Sequence, residues 1–181
     1  MSMQEIALIA AAAMLVFWML GAHNRLVALR NDIGAAWAQV DEPLQRRAAA
    51  LSPLVDGLRA HLSDEQGTLD AVAQALAQVR AAGDALRARP AQAARAASLA
   101  AAESALSAPQ ARLLALLEQH AELRSEAALA AHADALRDSG QRLAFARQLF
   151  NDAVRRYNEA AHQFPTRLLA RLFGFGAAGA L

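Results

Sequence analysis

From Ile6 to Ala22 the chain runs about 17 residues without a charged side chain, at the short end of what crosses a bilayer as a helix. That stretch constrains the fold first, because a backbone crossing hydrocarbon must satisfy its own hydrogen bonds, which for one segment means an α-helix. A cleaved signal peptide would carry a basic leader and a small-residue cleavage site, whereas only Glu5 and the α-amine precede this run. A lipoprotein signal would need a cysteine, and a buried core helix is the remaining alternative. Phe17 and Trp18 lie near the end of the run, where interfacial aromatics belong, and polar His23, Asn24 and Arg25 follow. The expectation is an uncleaved membrane anchor, residues 1–23. Arg25 and Arg30 follow the span and no basic residue precedes it, so the positive-inside rule predicts a single-pass protein of the cell (inner) membrane with its soluble domain in the cytoplasm. The opposite topology stays open.

Beyond the anchor the chain is dominated by alanine, which makes up more than a quarter of all residues and is the least costly in a helix. The absence of cysteine excludes disulfides, thiolate metal sites and a cysteine nucleophile. All 18 basic residues are arginine, and against 17 acids they leave net +1, no electrostatic footprint for nucleic acid.

Periodicity supplies the organisation. Leu26, Leu29, Ile33, Trp37, Val40, Leu44, Leu51, Leu54, Val55, Leu58 and Leu62 recur at three- and four-residue steps with no break from the span. This predicts one long helix rising out of the membrane, kinked or loosened at Pro43 and Pro53, each of which removes a backbone donor. A second helix is expected from about Ser63 with the serine as cap, its seam Leu69, Val72, Leu76, Val79, Gly83 and Leu86, ending at the Arg89-Pro90 turn. A third carries Leu99, Leu106, Leu113, Leu116 and Leu117 on one face, bent or delayed by Pro109. The last is the clearest: Leu129, Leu136, Leu143, Phe150, Tyr157 and Phe164 are spaced by seven, with Ala146, Ala153 and Ala160 three residues behind the later ones. The predicted fold is all-α: an N-terminal transmembrane helix continuing into an antiparallel up-down four-helix bundle of long coiled helices. Residues 24–163 form the bundle, and 164–181 an amphipathic segment with a flexible tail.

Chemistry-bearing motifs are few. Gly174-Phe175-Gly176-Ala177-Ala178-Gly179 spells G-x-G-x-x-G, but no strand precedes it, and a dinucleotide fingerprint needs strand, turn and helix. Glu159 and His162 match the Glu-x-x-His of di-iron bundles, yet no second copy exists to complete a site. His61 and Glu65 predict at most a helix-surface contact, and Arg46-Arg47 and Arg155-Arg156 read as solvated surface. No catalytic, cofactor-binding or metal residues are expected, and the chain is not read as an enzyme.

Two residue groups carry structural expectations. Asn24, Asn31, Gln39, Asn151 and Asn158, with Trp37, are read as register residues, their amides hydrogen-bonding between the first and last helices. Beyond the last helix, Phe164, Arg167, Leu168, Leu169, Arg171, Leu172, Phe173 and Phe175 make a short basic amphipathic segment. It is expected at the membrane interface, arginines toward phosphates and leucines below the headgroups. The same apolar residues could instead cap the base of the bundle.

The blocks His23 to Arg47 and Leu143 to Phe175 resemble the two signature stretches of the LemA family. The shared groups are Leu-Arg-Asn, Ala-Trp-Ala-Gln and Arg-Arg in the first, and Ala-Arg, Phe-Asn-Asp-Ala-Val, Tyr-Asn, Phe-Pro and Phe-Gly-Phe in the second. Departures are His23 and Phe150 where that family usually has tyrosine, a proline at Pro43, and His120-Ala121 in place of Tyr-Pro. The resemblance implies a single-pass bacterial membrane protein with a helical soluble domain and no assigned activity, and some members lie beside membrane proteins linked to proteolysis. The implied role is a scaffold or adaptor with a protein partner of unknown identity, membrane lipid contacting the span; homo-oligomers stay open. The alternative is an envelope-stress or membrane-shaping component acting directly on lipid.

Overall fold

The computed structural model describes residues 2–181, and those residues form helices and turns without strands. The first helix, α1, runs Met3–Arg59 without interruption for 57 residues, about 86 Å at 1.5 Å per residue. Ser2 and Glu5 form a reciprocal capping box at its start. Its apolar opening stretch has a mean hydropathy of 2.1 and none of it is buried, so α1 is long and apolar enough to cross a membrane. Burial begins at Leu26 and repeats at Ile33, Trp37, Val40, Leu44, Leu51, Leu54, Val55 and Leu58, the stripe read from the sequence.

Pro43 and Pro53 both lie inside α1, yet the helix continues through them. A proline removes one helical hydrogen bond and leaves a carbonyl in the preceding turn without its donor. Near Pro53, Arg80 donates to the carbonyl of Ala48 at 3.1 Å and to the hydroxyl of Ser52 at 3.0 Å.

The helix expected from Ser63 starts later. Ser63–Glu65 is a 3-10 turn and α2 spans Gln66–Ala88 with no side-chain cap. The serine hydroxyl bonds weakly to Asp64 instead, and Gln66 ties the turn back to the carbonyls of Arg59 and Leu62. The turn at Arg89-Pro90 leads into α3, Ala93–Gln119, which continues as a helix through Pro109. A short α4, Ala121–Ser125, precedes α5, Ala127–His162, and α6, Thr166–Leu172. The α5 seam is buried from Leu129 to Tyr157, with Ala146, Ala153 and Ala160 beside it. Phe164, the last member of that spacing, lies beyond the end of α5 and is 72% exposed.

The long helices associate in two close pairs, α1 along α5 and α2 along α3, joined where α1 meets α2. Alanine at the α5 seam lets α1 approach closely, and Trp37 meets Phe150 edge-on at 6.2 Å between ring centres. A fork between Arg87 and Asp41, at 2.6 and 3.0 Å, ties α2 to α1. The α3–α5 seam does not close to the same degree.

Candidate functional site

Three features converge on α5 and the base of the molecule. The first is the amphipathic segment. Leu169 and Ala170 of α6 are buried, Ala170 in a small cluster with Leu26, Ala160 and Ala161, so part of the segment does cap the base of the helices. Phe164, Leu168, Leu172 and Phe173 stay exposed, at 72%, 55%, 72% and 50%, with Arg167 and Arg171 on the outside as well. Phe175 packs against the core. The His23 ring contacts Phe173 and Phe175 edge-on at 5.1 and 5.5 Å, so α6 ends beside the residue at which the apolar run of α1 stops. The helix that returns from the far end therefore brings its aromatic residues to the boundary of that apolar run.

The second feature is the segment after α6, which is not the free tail expected. It leaves α6 through Gly174, whose φ of +71° suits a residue without a side chain, and then runs along α5. Asn158 donates to the carbonyl of Ala178 and accepts from its N–H, both at 2.9 Å. Asn151 does the same with Leu181, both at 2.8 Å. The Tyr157 hydroxyl donates to the carbonyl of Gly176 at 2.9 Å, and burial pushes its phenol above the ordinary tyrosine pKa. The register is set by geometry: seven helical residues rise about 10.5 Å, and three residues of extended chain span about 10 Å. Gly179 completes the fit, because a Cβ there would stand 2.7 Å from the Cα of Ala93 at the start of α3. Among the glycines of the G-x-G-x-x-G string, Gly174 thus serves a turn and Gly179 close packing.

The expected cross-helix amide register is corrected by these contacts. Asn151 and Asn158 hold the extended segment and not α1. Asn24, Asn31 and Gln39 are exposed, with no side-chain hydrogen bond to α5 among the described residues. The reason is angular: Asn24 and Asn31 stand two residues from Leu26 and Ile33, about 200° around the helix and off the buried stripe. Trp37 is buried, with its indole N–H unpaired.

The third feature was missed. Arg46 is exposed and pairs with Glu42 one turn back, but Arg47 is buried and bonds Glu103 of α3. Arg147 of α5 takes the other Glu103 oxygen at 2.5 Å. The Arg47 and Glu103 side chains are 9% and 8% exposed, so one carboxylate joins α1, α3 and α5 away from water. The signal lay in the helical steps: Arg47 continues Val40, Leu44, Leu51; Glu103 falls between Leu99 and Leu106; Arg147 falls between Leu143 and Phe150. A cleft of about 560 Å³ opens here, bordered by these three residues, Ser107, Gln110 and Leu181.

No group of three metal-ligating side chains occurs among the described residues. Glu159 lies 4.0 Å from Arg155, and His162 bonds the backbone of Asn158. Glu65 does not meet His61; Thr68 and then Arg112 hydrogen-bond its carboxylate and hold it below the usual pKa.

A search of curated proteins finds no match. Compared with known protein families, residues 36–180 match the LemA family, a stretch that begins one residue before Trp37, includes Arg47, Glu103 and Arg147, and ends within the extended segment on α5. The match covers most of the chain and joins the helices that carry these features, and the chain belongs to the LemA family.

Proposed function

We propose that this protein is a non-enzymatic scaffold or adaptor tethered to the cell membrane by the apolar start of α1, its soluble domain in the cytoplasm. In this reading the four long helices form an antiparallel up-down bundle, looser along the α3–α5 seam, that presents helical surface to a protein partner. The observation that carries it is the continuity of α1: one unbroken helix supplies both the exposed apolar stretch and the spine of the core. Such a spine holds the domain upright at the bilayer and fixes the height of its surfaces. Arg25 and Arg30 support the cytoplasmic side through the positive-inside rule. The near-neutral charge argues against nucleic acid as the partner.

Copurification of the whole protein from membranes in mild detergent tests this. A protein partner in fixed stoichiometry is expected. Recovery of the protein alone would contradict the scaffold reading.

The exposed Phe164, Leu168, Leu172 and Phe173 favour one second reading, direct action on lipid. Remodelling of vesicles by the purified protein, with no partner recovered, would support it.

A further inference from the structure

Deepening the scaffold reading and resting on it, we propose that the α3–α5 seam is a binding groove for an extended peptide segment of a partner protein. Residues 174–181 are its resident occupant.

The contacts in the seam have the form of peptide recognition. All five hydrogen bonds from Asn151, Tyr157 and Asn158 go to main-chain atoms of the extended segment, and each asparagine matches one residue's N–H and C=O together. A groove that reads the main chain accepts any strand of suitable shape, as strand addition does at a sheet edge. Side-chain selection comes from space. Ala178 is 7% exposed, and the Gly179 position has no room for a Cβ against Ala93. The fitting ligand is therefore extended, with a small residue followed by glycine. Past Leu181 the groove continues into the open cleft, where Arg47 and Arg147 face the single charge of Glu103. The Arg47 Nε–H, a donor, is buried there without a partner. A partner strand that carries an acidic residue beyond its glycine meets unused hydrogen-bonding capacity there. The resident segment is tethered by a short connection, which gives it a high effective concentration, so exchange requires that it first be loosened.

The experiment uses the full chain in detergent and a fluorescent synthetic peptide with the sequence of residues 174–181. Two variants loosen the resident segment without altering the groove: Gly179→Leu, which introduces the excluded side chain, and Ala178→Pro, which removes the N–H that Asn158 accepts. The peptide is expected to bind each variant roughly tenfold or more tighter than it binds the wild-type protein, because the tethered competitor is gone. A peptide carrying Gly179→Leu should not bind, and adding Asn151→Ala and Asn158→Ala to either variant should abolish binding. Peptide binding no tighter to the variants than to wild type overturns the proposal. Loss of helical folding in both variants also overturns it, since the segment would then be an inseparable part of the core. The chain has no cysteine, so single labels at Ala180→Cys and Ser107→Cys in separate populations can be mixed. Energy transfer between copies would make the occupant a second copy's segment and overturn the assignment to a partner. Failure of the peptide arm while a stoichiometric partner still copurifies removes the groove and leaves the scaffold reading standing.

Discussion

Replacing Glu103 with leucine deprives two arginines of the acceptor they share, and the two are not equally exposed. Arg147 is 35% exposed at its side chain and can turn toward water, so its loss is small. The Arg47 side chain is 9% exposed, and its Nε already lacks a partner. Leaving one buried charge without its counter-ion costs about 3–5 kcal/mol, and partial relief through the adjoining cleft argues for the lower end, about 3. At roughly 2–4 °C per kcal/mol for a domain of this size, Tm should fall by about 6–12 °C. The assay is thermal unfolding of the whole protein in detergent, followed by far-ultraviolet circular dichroism. Removing both charges, as Glu103→Leu with Arg47→Met, should recover most of the loss, because the desolvation penalty disappears with the pair. The reasoning fails if Glu103→Leu changes stability by less than about 0.5 kcal/mol, the range of exposed positions, or if the double variant is less stable than the single one.

Asn151→Ala and Asn158→Ala each delete two hydrogen bonds to half-buried main-chain groups, so each should destabilise by about 1–2 kcal/mol in the same assay. Values under about 0.5 kcal/mol for both would mean that the amides do not hold the segment. A polarity-sensitive fluorophore at Leu172 should shift its emission when anionic vesicles are added to the detergent-free soluble portion, and the unlabelled Leu172→Asp variant should keep the wild-type Tm, since the side chain is exposed; lowered Tm with no shift would indicate capping alone. Burial favours the neutral form of Tyr157, so its folded pKa lies above its unfolded value of about 10. Its contribution is fully present below the unfolded value and is lost as pH rises through the folded one. Stability should therefore decline in alkali less steeply for Tyr157→Phe than for the wild type, and equal slopes would contradict the assignment.

Much of the helical framework was legible because it is periodic. The stripes from Leu26 to Leu58 and from Leu129 to Tyr157 follow from three- and four-residue steps, and those residues are buried. Helix ends were less legible: Ser63 looks like a cap, but the chain there makes a 3-10 turn anchored by Gln66, whose side chain satisfies carbonyls the serine cannot reach. Pro43 and Pro53 do not end α1, whose helical assignment runs through both. Asn151 and Asn158 were expected to bond between the first and last helices, whereas both bond the extended segment after α6. A side-chain amide seven residues from another is equally spaced for a facing helix and for an extended strand, and sequence alone does not separate the two. Arg47, Glu103 and Arg147 fall in phase with the apolar stripes, but their charge by itself points to the surface, so their burial shows only in the fold.

One helix, α1, runs unbroken from the apolar stretch into the core. Single-cysteine scanning of α1 in membrane vesicles tests it most directly, using the absence of native cysteine. Ile9→Cys, Ala13→Cys and Val16→Cys should be refractory to an aqueous maleimide, while the exposed Asn24 and Asn31 positions should react as cysteines, with the protein retained in the membrane after carbonate extraction. Ready labelling at the three inner positions, or a mature amino terminus at or beyond Ala22, would contradict the account.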